Sequence, residues 1–293
     1  MGAMAVAGIR DGLYTIDDSN KQTLAGHEVT ALAKEDDGWM AVLDGREVWR
    51  SHHNGEWEPV AALDGLVAHR ILPTDSGALV GTSEAHVYSI RNGNLELVGA
   101  FDDAPGRDTW FTPWGGPPHV RSLTVDASGT VFANVHVGGV VRSADGAGSW
   151  EPTIDIKTDV HQVLADRETG TVLAVSRDKG ETWEYRTDGL HGNYLRAVAA
   201  TDGTVFITAS TGHNSNRAAF HRMALDSEGP FQRCENGLPE SFPSNIDSHC
   251  LSADGPTVAF GTSQGQIFVS HDRGESWSLQ ADDLPAVLCV AVP

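Results

Sequence analysis

Ser143-Ala144-Asp145-Gly146-Ala147-Gly148-Ser149-Trp150, Ser176-Arg177-Asp178-Lys179-Gly180-Glu181-Thr182-Trp183 and Ser270-His271-Asp272-Arg273-Gly274-Glu275-Ser276-Trp277 are three copies of one pattern, Ser-x-Asp-x-Gly-x-(Ser/Thr)-Trp. In the first copy a glycine stands one place early, at Gly146, and Gly148 is read as holding the usual glycine position. Asp and Ser accept hydrogen bonds from nearby backbone amides, and Gly takes a turn position with φ > 0. Trp buries a large ring beside the next strand. The pattern is therefore a lock on a hairpin, and turn chemistry alone accounts for Asp145, Asp178 and Asp272 and for Trp150, Trp183 and Trp277.

The three copies resemble the Asp box, or BNR repeat, of sialidase-like, sortilin-type and photosystem II assembly-factor-like propellers, within the broader class of WD40- and YVTN-like repeats. The resemblance covers nearly the whole chain and implies an all-β β-propeller. It speaks for architecture and not for activity, because such turns recur in proteins with unrelated tasks.

Short apolar runs of strand type begin at Val29, His69, Val120, His161, Leu195, Ser248 and Val287. Successive starts lie 40, 51, 41, 34, 53 and 39 residues apart, the period of four-stranded blades. The spacing predicts seven blades, with six as the alternative, in a single domain over residues 1–293. The last run has no room for a blade of its own, so residues 4–24 are expected to supply its missing strands and pair the N-terminal strands with the C-terminal one. Degenerate boxes fall at 51–57 and 89–93, with Asn54 and Asn92 in place of Asp. The fourth blade is short, since Ser176 follows Gly170 by six positions against fourteen from Gly129 to Ser143. Either that blade lacks a strand or the sequence lacks residues there.

Forty acidic against twenty basic residues give a formal net charge of −20. Such a surface repels phosphate backbones and anionic lipid, so nucleic acid and membrane are poor partners. The chain has no apolar stretch near membrane-spanning length and no cationic, hydrophobic leader, which points to the cytoplasm. Cys234, Cys250 and Cys289 cannot build a disulfide framework and read as small buried residues.

Three long connections, 101–119, 209–219 and 236–247, are expected on the face opposite the repeat turns, at the mouth of the central channel. The first is rich in aromatics, with Trp110 and Trp114 placed either to stack on a flat ligand or to pack as a lid. Aligned innermost strands put Thr30, Arg70, Arg121, Gln162, Arg196 and His249 at equivalent positions. Three guanidiniums there suit a carboxylate or phosphate, while the alternative is that each pairs within the protein. Asn193, Asn214 and Arg217 complete the ligand-binding candidates. His119, His136, His161 and His249, with His69 beside them, offer imidazoles for Zn or Cu, although no H-x-H or H-E-x-x-H spacing supports a metal.

Three functions fit these residues. One is a propeller that binds a small anionic or sugar-like ligand or a protein partner. A second, implied by the sialidase resemblance, is a glycoside hydrolase or other hydrolase or lyase. There Arg70, Arg121 and Arg196 would hold a carboxylate, Tyr194 would be nucleophile and Asp247 or Asp108 the acid. Residues 69–73, His-Arg-Ile-Leu-Pro, depart from the sialidase Arg-Ile-Pro motif by an inserted Leu72. A third is a metal-dependent enzyme built on the rim histidines. No motif decides whether the protein is an enzyme.

Overall fold

A computed structural model describes residues 4–17, 20–52, 55–112, 114–154, 160–165, 176, 178–214 and 216–293. Its strands are β1 (Ala5–Ile9), β2 (Gly12–Ile16), β3 (Lys21–Thr23), β4 (Val29–Glu35), β5 (Gly38–Leu43), β6 (Glu47–Ser51), β7 (Trp57–Ala62), β8 (Ala68–Thr74), β9 (Gly77–Thr82), β10 (Val87–Arg91), β11 (Asn94–Leu97) and β12 (Val120–Val125). The rest are β13 (Val131–Val135), β14 (Gly139–Ser143), β15 (Glu151–Pro152), β16 (Tyr194–Thr201), β17 (Thr204–Ser210), β18 (Ala219–Ala224), β19 (Gln232–Arg233), β20 (Leu251–Asp254), β21 (Thr257–Gly261), β22 (Ile267–Ser270), β23 (Ser278–Ala281) and β24 (Val287–Ala291). The helical segments are one turn, α1 (Gly99–Asp102), and a 3₁₀ turn at Arg107–Thr109. Among the described residues no helix is long and apolar enough to cross a membrane.

These strands form six four-stranded sheets: β4-β5-β6-β7, β8-β9-β10-β11, β12-β13-β14-β15, β16-β17-β18-β19, β20-β21-β22-β23 and β24-β1-β2-β3. The count of seven is therefore corrected to six among the described residues. Of the run expected as a fourth blade, 155–159, 166–175 and 177 lie outside them, and the described remainder of 161–183 carries only single-residue bridges. What is described of it leans on the preceding sheet through side chains. The amides of Val163 and Ala165 donate to the hydroxyls of Ser122 (2.9 Å) and Thr124 (3.1 Å), and Asn134 Nδ2 donates to the Val160 carbonyl at 2.6 Å.

The chain divides into two compact units, a central one over Ala31–Tyr185 and a terminal one made of Met1–Thr30 and Arg186–Pro293. In the terminal unit β1 pairs antiparallel with both β2 and β24, with Val6 opposite Ala291 and Ala7 opposite Val290. Residues 4–24 thus complete the sheet of the C-terminal strand. Gly8 makes the close fit possible, because a Cβ there would sit 2.5 Å from both Cys289 Sγ and the Val29 carbonyl oxygen. Cys234, Cys250 and Cys289 are all free and buried.

Burial separates the central strands of a sheet from its outer ones. Every residue of β1 and β13 is buried, whereas outer strands such as β11 and β15 are short and largely exposed, which limits edge-to-edge pairing with other chains. Aromatic rings fill the space between sheets. In the central unit Phe101 meets Trp150 edge-on at 4.9 Å. In the terminal unit Phe220 stacks on Phe260 at 4.9 Å and takes Trp277 edge-on at 4.7 Å.

The three repeat turns share one hydrogen-bond set. The serine hydroxyl donates to the aspartate (Ser143 to Asp145 2.8 Å, Ser176 to Asp178 2.9 Å, Ser270 to Asp272 2.8 Å) and accepts from the fifth residue's amide (Ala147 2.9 Å, Gly180 2.7 Å, Gly274 2.8 Å). The amide and hydroxyl of the seventh residue, Ser149, Thr182 or Ser276, close both carboxylate oxygens. Two consecutive left-handed residues make the bend: Gly146 and Ala147 (φ 73° and 74°), Lys179 and Gly180 (57° and 87°), Arg273 and Gly274 (56° and 76°). The first copy has exchanged its glycine, so Ala147, not Gly148, holds the fifth position. The hydroxyl and amide of Ser149 and the hydroxyl of Ser143 hold the Asp145 carboxyl down at about 2.

The other expected boxes differ. Asn92 and Gly93 (φ 51° and 78°) form the two-residue turn joining β10 to β11, the geometry that Asn-Gly favours in hairpins. The box at 51–57 includes His53 and Asn54, which lie outside the described residues, and Ser51 Oγ accepts from the Trp39 amide at 3.0 Å.

Candidate functional site

Register fixes which end of a sheet each side chain occupies. In the third sheet Val120 lies opposite Val135 at one end, while Val131 lies opposite Ser143 at the other, where the repeat turn begins. His119, Arg121 and His136 therefore gather at the end away from the turn. The corresponding end of the second sheet, where Ala68 faces Thr82, carries His69, and Ser83 bridges to His119.

In the central unit these residues make one cluster. The rings of His69 and His119 stack at 4.8 Å, and those of His136 and His161 are 5.8 Å apart. Trp114 lies edge-on to His136 at 4.9 Å and to His119 at 6.4 Å. Arg121 Nη1 is 3.3 Å from His136 Nδ1. Burial, then the nearby His119 and Arg121, push the His69 pKa down to about 4. Burial, Arg121 and His136 lower that of His119 as well. The cluster thus sets a guanidinium beside imidazoles, of which His69 and His119 have their charged form disfavoured, in a chain whose net charge is −20.

Arg70 and Gln162 are partly buried next to His69 and His161. Trp110 leaves the predicted set. It is 6 % exposed, packs on Phe101 at 5.6 Å and lies under the Arg107 guanidinium at 5.4 Å, so its ring belongs to the core and Trp114 alone of the pair faces solvent, 63 % exposed. Asp108 is exposed beside Arg107, lining an acidic cleft with Glu84, Asp102 and Asp103.

The terminal unit brings together a different group. Arg196 Nη2 donates to Asp247 Oδ1, its Nη1 donates to the Tyr194 hydroxyl at 3.2 Å, and its guanidinium lies 5.9 Å from the Tyr194 ring. Arg196 thus follows the internal-pairing alternative, and it would have to release Asp247 to grip a substrate carboxylate. His249 is buried in a left-handed conformation (φ 69°). Asn193, Asn214 and Arg217 are exposed, and the Arg217 carbonyl accepts from His191 Nε2 at 2.7 Å.

Among the described residues no three His, Cys, Asp or Glu side chains converge as a metal-ligand set. Two groupings escape sequence reasoning. His191 stacks on buried His221 at 5.3 Å. His86 Nδ1 lies 2.9 Å from Asp102, which also pairs with Arg107 at 3.2 Å. Each links residues far apart in the chain, with no local spacing to announce it.

No protein-family model matches the sequence, and no curated protein matches it. Solved structures do. A GH74 enzyme from Niastella koreensis is similar with a TM-score of 0.63 at 12% identity, over 94% of this chain and 47% of that one. The WD40 β-propeller domain of Doa1 gives 0.59 at 13%, over 89% and 84%. The GH74 xyloglucanase from Xanthomonas campestris gives 0.55 at 14%, over 95% and 46%. The chain is an all-β β-propeller. It spans about half the length of the two GH74 structures, and at these identities the likeness is one of fold alone.

Proposed function

We propose that this chain is a binding propeller whose recognition site is the cluster of Trp114, His119, His136 and Arg121 in the central unit. Trp114 carries the reading. An indole 63 % exposed on a loop, yet held edge-on against two imidazoles, is a rigid, amphipathic contact of the kind that anchors ligands and partners. The charge of Arg121 beside it adds a fixed polar contact, and sites of this make-up combine an aromatic wall with few oriented polar groups.

The test is titration of the protein with neutral aryl glycosides and aryl acids, followed by tryptophan fluorescence and by amide chemical shifts. Ligands of the site shift the amides of residues 114–121 and 136, and W114A abolishes the response with the fold intact. Shifts confined to other regions would end this reading.

A glycoside hydrolase is the second reading, favoured by the contact of Arg196 with both Tyr194 and Asp247. Turnover of a chromogenic glycoside that Y194F removes would support it. Turnover unchanged in Y194F and D247N would take these residues out of the chemistry.

A further inference from the structure

The two sheets that carry His69 and Arg121 at one end form a second recess at the other, beside the repeat turn. In the sheet of β8 to β11, Thr74 lies opposite Gly77 and Leu79 opposite Ser89. Ser89 and Arg91 are two apart in β10, so they share the face that carries Leu79. Val125 and Val131, opposite each other at the ends of β12 and β13, pack with Leu79 in one apolar cluster. Between the sheets lies a cleft of about 420 Å³ lined by these side chains and by Gly146 of the turn.

Three charged residues, Asp75, Arg91 and Asp126, line the same cleft. Asp126 is only 5 % exposed. Its Oδ1 accepts from the Ser128 amide (2.8 Å) and hydroxyl (2.7 Å) and from the Thr130 amide (2.9 Å), while its Oδ2 accepts from no described residue. Burial opposes ionisation of this carboxyl, but the bonds from Ser128 and Thr130 and the charge of Lys179 outweigh it and lower its pKa. Lys179 bonds the Ser128 hydroxyl at 2.9 Å instead of the carboxylate. Asp75, in the turn between β8 and β9, and Arg91 are exposed, and neither side chain makes a hydrogen bond or an ion pair with a described residue.

A buried carboxylate with one oxygen open is best met by a charged donor. An amine alone would face the Arg91 guanidinium, and an acid alone would face two carboxylates. A ligand that carries both charges is matched, and either charge by itself is penalised. The volume suits a small molecule, and Leu79, Val125 and Val131 offer its body an apolar wall.

We propose that this cleft binds a small apolar amino acid, its ammonium drawn by Asp126 and Asp75, its carboxylate by Arg91 and its hydrocarbon by Leu79, Val125 and Val131. The site is separate from the one at Trp114 and does not depend on it.

The experiment is titration of the full chain, followed by amide chemical shifts, with four probes. Leucine and its isomer 6-aminohexanoate carry both charges. The leucine analogues 3-methylbutylamine and 4-methylpentanoate carry one each. At least one isomer is expected to shift the amides of residues 74–79, 89–91 and 125–131 and to bind about tenfold tighter than either analogue. The isomer that binds better gives the separation of the two charges.

D126N keeps an acceptor for Ser128 and Thr130 and is expected to bring that affinity down to the level of 4-methylpentanoate. R91Q is expected to bring it down to that of 3-methylbutylamine, and its exposed position keeps the test decisive should D126N melt early. A one-charge analogue that binds as tightly as both isomers, or shifts absent from these amides, overturns the proposal. So does an isomer that R91Q holds as tightly as the parent protein does.

Discussion

Arg142 donates from Nη1 to the carbonyl of Lys179 at 2.6 Å. Arg222 repeats the bond to the carbonyl of Arg273 at 2.9 Å. In each case the receiving residue is the fourth of a repeat turn, and the sixth residue of that turn, Glu181 or Glu275, also pairs with the arginine. Each arginine belongs to the third strand of a sheet and reaches a repeat turn further along the chain; Arg142 passes over the turn at 143–150, which its own strand enters, to reach the one at 176–183. Glu181 raises the Arg142 pKa further by its hydrogen bond, burial opposes, and Glu151 adds to the rise.

The carbonyl bond is the durable part of this latch, because Glu181 and Glu275 are 63% and 66% exposed and their pairing is screened. R142A is expected to lower stability by about 1–2 kcal/mol, and R142K to recover only part of it, since one ammonium cannot span carbonyl and carboxylate in the guanidinium's geometry. Urea unfolding at low and high salt checks this. A loss that vanishes at high salt would assign the latch to the carboxylates instead.

Ala147 sits at φ 74° where the other two copies have glycine. A147G is expected to stabilise the protein by about 0.5–1 kcal/mol, because relief of left-handed strain outweighs the added freedom of the unfolded chain. G274A is expected to do the reverse, and more strongly, since a Cβ there would meet Phe206 Cε1 at 3.0 Å. Equal melting temperatures for A147G and the parent protein would show that the turn holds alanine without strain.

Gly8 predicts a larger loss. Any side chain at this position collides with Cys289 Sγ and the Val29 carbonyl, so G8A is expected to cost about 1–3 kcal/mol through forced separation of β1 from its neighbours. Hydrogen exchange should show faster exchange at Val6 to Ile9 and at Val287 to Ala291 before it appears elsewhere.

Acid should weaken the terminal unit through His221. Burial first, then His191 and Arg233, push its pKa down to about 4 from 6.5. The unfolded chain therefore binds this proton between about pH 6.5 and 4 while the folded one does not. Stability falls as pH drops through that window, by on the order of 1 kcal/mol per pH unit for this group. H221F should flatten the slope by one proton. An unchanged slope would place the proton uptake on other histidines, His69 first among them.

The repeat turns were legible apart from the glycine position of the first copy, because Ser, Asp and Trp at fixed offsets encode a local hydrogen-bond set that needs no distant partner. The closing of β24 on β1 was legible as well, since a strand without a blade called for strands without a strand. The number of complete sheets was not, because the run from His161 has the composition of an inner strand but, as far as it is described, is met by the Ser122 and Thr124 hydroxyls rather than by a ladder. At the site, the structure brings Trp114 beside His119 and His136, and Arg121 beside His136. For Trp110 the sequence left stacking on a ligand and packing both open, since two tryptophans four residues apart look alike in sequence and only packing against Phe101 separates core from surface.

The pairing of β1 with β24 sets an order of assembly. β1 to β3 are made early, but the inner strand that completes their sheet is synthesised after the rest of the described chain. Until then β1 presents an unpaired, wholly apolar edge, and long-range pairings of this kind form slowly. That seam thus stays open from the synthesis of β1 to that of β24, and it is where a chaperone would be most needed.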